Sequence, residues 1–273
     1  MRILVAVLSI VIGLTASGKV TLKGVVKDDK GEVIPYATIT VQSRSTGTLT
    51  DSVGAFGFVL NNVTDNDSVS FSSIGYDDFT ATVGRLRSMG DKLDIVLHEH
   101  PYELDEVVVI PPKVKKKTFG RTSMNGKFEI QIGSEHPEGC GVGVRCKVGK
   151  RAWITSVSMG WIQRDNCVER MPFRLNAYKK RNGVWTNVTR QPVMFTYTKE
   201  ALGGDGRFVY RLPEPMMING DTMVEFEFLE PMHGHTIYIK SNVLTGHFNW
   251  HEYGKWESMP VGGSFAVHVL VEK

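Results

Sequence analysis

A segment near the C-terminal end of the chain, HFNWHEYGKW, holds the side chains best suited to contact a ligand. Trp250, Tyr253 and Trp256 stand close together there, with histidine, glutamate and lysine between them. Aromatic faces beside hydrogen-bonding groups are a common way for β-sandwich modules to hold sugars. Large rings on such folds also serve as core or loop-anchoring residues, an alternative that applies to Trp161 and Trp185 as well. We therefore predict a ligand site at these three residues, with anchoring as the alternative.

The sequence contains no motif typical of catalysis or of a metal site. A nucleophile elbow, an H-E-x-x-H helix and a phosphate loop are all missing. His233 and His235 would share one face of a strand, which keeps a metallohydrolase as the last-ranked hypothesis. Histidines in a loop around Gly234 are usually solvated. We expect a protein without enzyme activity, metal or cofactor.

The charge balance argues against nucleic acid as a partner. The formal net charge is +3, from 32 Lys and Arg against 29 Asp and Glu. Electrostatic binding to a phosphate backbone needs a larger and more concentrated positive charge. We expect no nucleic-acid binding.

The first 18 residues have the pattern of a secretory signal peptide. Arg2 precedes an apolar run from Ile3 to Leu14, and small residues follow at Ala16, Ser17 and Gly18. The run is short for a bilayer-spanning helix, so a retained anchor is the less favoured alternative. We expect cleavage, and a mature chain outside the cytoplasm that does not span a membrane.

Export makes the three cysteines informative, because disulfides persist in oxidising compartments. Cys140 and Cys146, in GCGVGVRC, are close enough in sequence to close a small loop, which leaves Cys167 as a buried thiol. A zinc set with His136 is the alternative, although the spacing lacks a paired C-x-x-C. We predict a Cys140–Cys146 disulfide.

Polar and apolar residues alternate along nearly the whole chain after Lys19, which predicts an all-β protein of two β-sandwiches. About seven short strands fall within residues 19–98. The stretch PPKVKKKTFGR then predicts an extended, solvated linker over residues 99–121, with contact to an acidic surface or anionic lipid as the alternative. Residues 122–273 hold about eight further strands joined by longer loops, which favours a jelly-roll-like sandwich.

Several spaced elements of the first region match one known family together. They are GVVKDDKGEVIPYATITV at residues 24–41, Thr50-Asp51 with Gly54 and Phe56, and SFSSIGYDDF with Gly75-Tyr76. In this order they resemble the carboxypeptidase-regulatory-like domain family over about residues 19–97. The resemblance implies a seven-stranded, prealbumin-like sandwich in which Gly54 supplies the positive φ of a tight turn. It implies an accessory domain, found with or without an enzyme.

The family name raises the question of a peptidase, because His100 and Glu103 have the H-x-x-E spacing of a zinc carboxypeptidase. That catalytic site belongs to a larger α/β domain with long helices, and the present pattern has none. The segment YELDEVVV, residues 102–109, instead resembles the segment that follows this domain in TonB-dependent outer-membrane transporters. The roughly 150 residues beyond it are too few for the 22-stranded barrel of those transporters. We expect a location in the periplasm or at the outer membrane of a Gram-negative envelope.

The second region resembles the galactose-binding-like jelly rolls in pattern only, through PFRLNAYKKRNG and the strands after it. This resemblance carries no binding residue across. The sequence therefore favours a non-catalytic, exported envelope protein that acts as a binding or scaffolding module. Carbohydrate binding through the C-terminal region is the alternative. The expected partner is an envelope protein or a polysaccharide.

Overall fold

The computed structural model describes residues 18–100, 110–111, 113–122, 128–133 and 136–273, without the side chains of residues 243–245. The predicted signal peptide, apart from Gly18, lies outside the described residues, as do Glu103 and the YELDEVVV segment. Strands make up most of the described chain, and helix is confined to two short segments, which confirms the predicted all-β class.

The N-terminal region is a sandwich of two small sheets. One sheet has the order β4-β1-β7, with β1 and β7 parallel, and the other has the antiparallel order β3-β2-β5-β6. The seven predicted strands are therefore present. They are β1 (Gly18–Asp28), β2 (Thr38–Val41), β3 (Gly47–Leu49), β4 (Ala55–Val63), β5 (Ser68–Ser72), β6 (Phe79–Thr82) and β7 (Leu93–Leu97).

Strict alternation of side chains fills the core of this sandwich. In β4, Phe56, Phe58 and Leu60 point inward, while Gly57 points outward into open space. Gly54 has φ 74°, as the predicted turn requires. The α-helix of this region, α1 (Val83–Ser88), packs Val83 and Leu86 into the core of the sandwich. Within the described residues, no helix has the length and apolar character needed to cross a membrane.

The C-terminal region is one large antiparallel sheet of ten strands. Its central order is β12-β11-β14-β10-β15-β16, and β13, β17, β8 and β9 pair with strands along this path. The strands are β8 (Val114–Gly120), β9 (Phe128–Ile132), β10 (Cys140–Gly160), β11 (Arg170–Arg181), β12 (Val184–Asn187), β13 (Val193–Thr198), β14 (Arg207–Phe228), β15 (Ile237–Glu252), β16 (Lys255–Gly263) and β17 (Phe265–Glu272).

The longest strands let this single sheet surround its own core. Strands β10 and β14 pair over most of their length, and their register shifts between Val148 and Ala152 and between Ile154 and Ser156. Such irregularities bend a strand and increase its twist. The resulting core includes Trp161, and its largest other members are Phe173, Phe226, Phe228 and Tyr197.

The structure corrects the predicted linker over residues 99–121. Residues 114–120 form β8, which pairs antiparallel with β17 from Val114↔Glu272 to Gly120↔Ala266. The exposed lysines 115–117 therefore lie on an outer strand of the large sheet, where lysine commonly discourages pairing with another chain. The large sheet begins at Val114 rather than at residue 122.

Candidate functional site

A cluster of polar side chains is buried on the face of the large sheet that points away from its core. Side chains alternate along β11, so Phe173 and Leu175 enter the core while Arg174 and Asn176 point to the opposite face. The register sets Arg174 opposite Glu227 and Asn176 opposite Glu225. We call the set the polar cluster; its members are Arg174, Asn176, Tyr178, Glu225, Glu227 and His251.

The N-terminal domain covers this cluster. Arg174 donates from Nη1 to the backbone oxygen of Tyr36 at 2.8 Å and from Nη2 to Thr38 Oγ1 at 3.2 Å. Tyr36 also donates from its hydroxyl to Glu230 Oε1 at 3.1 Å. All residues from Met171 to Tyr178 are buried, on both faces of β11. The polar cluster is therefore the joint between the two regions.

Arg174 and Glu227 form a buried, two-pronged ion pair. Arg174 Nε lies 2.7 Å from Glu227 Oε2, and Nη2 lies 3.0 Å from Oε1. Burial by itself disfavours the charge of Arg174, but the Glu227 carboxylate outweighs it and raises the pKa of the guanidinium. Nη1 and Nη2 also donate to Tyr36 and Thr38. The charge of Arg174 is thus compensated inside the protein.

Glu225 and His251 form the second pair of the cluster. In the neutral ring, His251 Nδ1 donates to Glu225 Oε1 at 2.5 Å and Nε2 accepts a hydrogen bond from the Gly254 N–H at 2.9 Å; protonation of Nε2 keeps the contact with Glu225 and gives up the one with Gly254. Asn176 Nδ2 and the Tyr178 hydroxyl each donate to Glu225 Oε2 at 2.9 Å. Burial opposes both charges, but each partner outweighs it: the pKa of His251 is raised and the pKa of Glu225 is lowered.

A histidine–carboxylate pair resembles catalytic machinery, but this pair lacks a free nitrogen. A histidine that acts as a general base presents one ring nitrogen to the reacting group while the carboxylate holds the other. Here the second nitrogen, Nε2, is occupied by the Gly254 N–H. The pair can orient neighbouring groups, but its geometry offers no base to a substrate.

Two glycines of β10 make room for the polar cluster. A Cβ added at Gly141 would lie 2.5 Å from Glu225 Oε1, and one added at Gly143 would lie 2.3 Å from Trp256 Cζ3. Both glycines stand at alternate positions of GCGVGVRC, so they share one face of the strand. This alternation was the sequence signal for a close approach above β10. The cysteines of the same segment drew the prediction of a disulfide instead.

The structure does not bring the three predicted ligand-site aromatics to one surface. Trp250 lies on the core side and packs near Phe228 and Phe248. Trp256 lies on the opposite side, where its ring stacks on His251 with centroids 4.6 Å apart. Its Nε1 is buried.

Tyr253 has partners of its own at the domain joint. Its hydroxyl donates to the Glu138 backbone oxygen at 2.5 Å. Its ring lies against Gly47 of the N-terminal domain, where an added Cβ would come within 2.5 Å of Cδ1. All three aromatics therefore have structural contacts that the anchoring alternative describes.

The structure corrects the predicted disulfide. Cys140 and Cys146 are free thiols in one extended strand, β10. Six residues along a strand separate their Cα atoms by roughly 20 Å, whereas a disulfide requires less than about 7 Å. Burial raises the pKa of each of these two thiols to about 12. Cys167 is also buried and free.

The other histidines do not assemble a metal or catalytic site. His233 and His235 are exposed on a turn, and no group of three or more potential ligands in the described chain could hold a metal ion. His268 Nε2 lies 3.1 Å from Ser158 Oγ, and its Nδ1 lies 3.0 Å from Thr118 Oγ1. Ser158 is only 1% exposed, and a hydroxyl stands where a catalytic triad has its carboxylate.

Comparison with known proteins identifies the N-terminal region. The family described as CarboxypepD_reg-like domain matches residues 22–109. The TonB-dependent receptor SusC of Bacteroides thetaiotaomicron is 34% identical over 92 residues, which are 34% of this chain and 8% of that receptor. The chain thus corresponds to a small part of the receptor's length.

Two solved structures of a viral protein align with most of this chain, at low similarity. The VP2 subviral particle of infectious bursal disease virus aligns with 93% of this chain and 55% of its own, at 11% identity and a TM-score of 0.29. The Gt strain of the same virus aligns over the same shares at 13% identity and a TM-score of 0.26. Both scores are too low to support an inference. The sandwich of β1 to β7, with its turn at Gly54, is the part of this chain whose family is established, and it is a CarboxypepD_reg-like domain.

Proposed function

We propose that this chain is a non-catalytic, exported module of the cell envelope that presents a binding surface on a rigid two-domain scaffold. The observation that carries the proposal is Arg174, which is buried, pairs with Glu227 and bonds two residues of the CarboxypepD_reg-like domain. Separating the domains would break the bonds from Arg174 to Tyr36 and Thr38, so these contacts hold the domains in one arrangement. A fixed arrangement suits a scaffold.

The similarity to a TonB-dependent receptor supports the envelope as the place of action. In that receptor the similar segment accompanies a much longer chain, whereas here it is joined to the ten-stranded sheet. We therefore infer that the ten-stranded sheet is the functional partner of the domain. An envelope protein or an envelope polysaccharide is the expected partner class.

The placement of the histidines supports the absence of catalysis. His251 has both ring nitrogens occupied, by Glu225 and by the Gly254 N–H. His268 contacts a serine that is buried rather than open to a substrate. Neither histidine has the exposed nucleophile or free base that hydrolysis requires.

The test combines an activity screen with a fractionation. The mature chain is incubated with peptide, ester and glycan substrates, and its distribution between envelope and soluble fractions of a Gram-negative host is measured by immunoblot. We expect no turnover and recovery with the envelope. Hydrolysis that is lost in Ser158→Ala or His251→Ala would overturn the non-catalytic assignment. Recovery only in the cytosol would overturn the envelope assignment.

A further inference from the structure

A second group of side chains lies on the same face of the large sheet, beyond the polar cluster. The register sets Lys147 of β10 opposite Asp221 of β14 and Lys180 of β11 opposite Trp185 of β12. Arg145 lies two residues before Lys147 and therefore on the same face. We call Arg145, Lys147, Lys180, Asp221 and Trp185 the basic face.

Trp185 differs from Trp256, whose ring stacks on His251, because no aromatic ring of the described residues stacks on it. The side chain is partly exposed at the outer strand β12. Arg145 Cζ lies 5.8 Å and Lys180 Nζ lies 5.9 Å from its ring centroid. Both distances are near the outer limit for a cation–π contact, so the cations flank the ring at long range.

The charges of the basic face do not balance. Arg145, Lys147 and Lys180 are exposed, and Asp221 is the one carboxylate in the set. Arg145 binds Asp221 through Nε, 2.8 Å from Oδ1, and through Nη2 to Oδ2. Chiefly this contact, with added effects of Lys147 and Lys180, lowers the pKa of Asp221. With Arg145 neutralised, the two lysines supply an excess of positive charge beside an aromatic ring.

We propose that the basic face binds an acidic polysaccharide whose sugar rings carry carboxylate groups. Trp185 offers the apolar stacking surface for a sugar ring, and Lys147 and Lys180 offer cations for the carboxylates. Two strand spacings separate these lysines by about 10 Å at the backbone, so they suit charges repeated along an extended chain better than one compact anion. This inference rests on the proposed binding function and names its ligand class.

The test uses polygalacturonate as the probe and the full mature chain as the protein. Affinity is measured by isothermal titration calorimetry at low salt and again at 0.3 M NaCl. We expect Trp185→Ala and the double variant Lys147→Glu, Lys180→Glu each to weaken binding by about tenfold or more. Trp185→Tyr should restore most of the loss, because it keeps a ring. The double variant Lys115→Glu, Lys116→Glu, on the outer strand β8, makes the same change in net charge and should change affinity less than about twofold.

The same measurements separate this inference from its rivals. An uncharged galactan should bind at least about tenfold more weakly than polygalacturonate, and added salt should weaken the acidic polymer further. Equal affinity for both polymers would overturn the role of the lysines. An unchanged affinity in Trp185→Ala would overturn the stacking role. Tighter binding to phosphatidylglycerol vesicles or to single-stranded DNA would overturn the ligand class.

A failure of this inference can also be told apart from a failure of the proposed function. Absence of both binding and cleavage of polygalacturonate removes the ligand assignment and leaves the non-catalytic scaffold standing. Release of new reducing ends from the polymer by the wild-type chain would instead remove the scaffold proposal. Circular dichroism of each variant shows whether it is folded. If Trp185→Ala is unfolded, the affinities of Trp185→Tyr and of the double variant Lys147→Glu, Lys180→Glu are compared instead. Weaker binding by the double variant than by Trp185→Tyr supports the inference, and equal affinities overturn it.

Discussion

The two regions of the molecule use their polar side chains differently. In the CarboxypepD_reg-like domain, carboxylates hold turns a few residues away: Asp51 Oδ1 accepts from the Val53 and Ala55 N–H groups, and Asp28 Oδ1 accepts from the Lys30 and Glu32 N–H groups. In the large sheet, Arg174 and Glu227 meet across 53 positions of sequence, inside the protein. Long-range ion pairs of the N-terminal domain, such as Lys27 with Asp94, lie at exposed positions, whereas the Arg174–Glu227 pair of the large sheet is buried.

The difference has an energetic consequence. Asp51 is exposed to water, so loss of its turn contacts costs about 1 kcal/mol. The polar cluster excludes water, and removal of one partner leaves another charge buried and unpaired. The large sheet should therefore be more sensitive than the N-terminal domain to single polar substitutions.

The largest effect is expected for Arg174→Ala. The substitution leaves Glu227 as an uncompensated buried charge and removes two bonds to the N-terminal domain. We expect a loss of about 3–5 kcal/mol in the free energy of unfolding, measured by urea denaturation. Arg170→Ala is the matched control, because Arg170 pairs with Glu230 at an exposed position, and we expect it to cost less than about 1 kcal/mol. Equal losses in the two variants would contradict the comparison.

A smaller effect is expected for Gly143→Ala. The added methyl group would meet Trp256 Cζ3 at 2.3 Å and Met223 Sδ at 2.8 Å, so the Trp256 ring must move off His251. We expect a loss of about 1–3 kcal/mol in thermal or urea unfolding. Gly149→Ala on the same strand is the control, since nothing lies within 4 Å of its added Cβ. Equal losses of unfolding free energy in Gly143→Ala and Gly149→Ala would contradict the close packing of Trp256 above β10.

The contrast between the regions also explains what the sequence revealed. The N-terminal strands and the turn at Gly54 depend on neighbours in sequence, so alternation and turn residues predicted them, and the family resemblance was confirmed. The polar cluster depends on the pairing of β11 with β14 and of β10 with β14 and β15, strands that lie far apart in the sequence. Strand β8 was missed for the same reason. Its lysine run suggested a linker, but the strand pairs with β17, which lies about 150 positions later in the sequence.

The cysteine and aromatic predictions depended on proximity in sequence as a guide to proximity in space. Cys140 and Cys146 are near in sequence, but an extended strand keeps them apart. Trp250 and Trp256 are near in sequence, but they occupy opposite faces of the sheet. Recognising β10 and β15 as long, continuous strands would have corrected both predictions.

The smallest effect on stability is expected for Glu225→Gln, and its size should depend on pH. Because the pKa of Glu225 lies below 4.5 in the folded state, its contribution to stability is present above that pH and is lost as the pH falls through the lowered pKa. Because the pKa of His251 lies above 6.5, its contribution is present below that pH and is lost as the pH rises through the raised pKa. The stability gap between wild type and Glu225→Gln should therefore be widest between pH 4.5 and 6.5 and narrow on both sides, by about 1.4 kcal/mol for each unit of pKa shift. Urea unfolding from pH 3 to pH 8 measures the gap. A gap that stays constant over this range would show that the pair contributes no charge interaction to the domain joint.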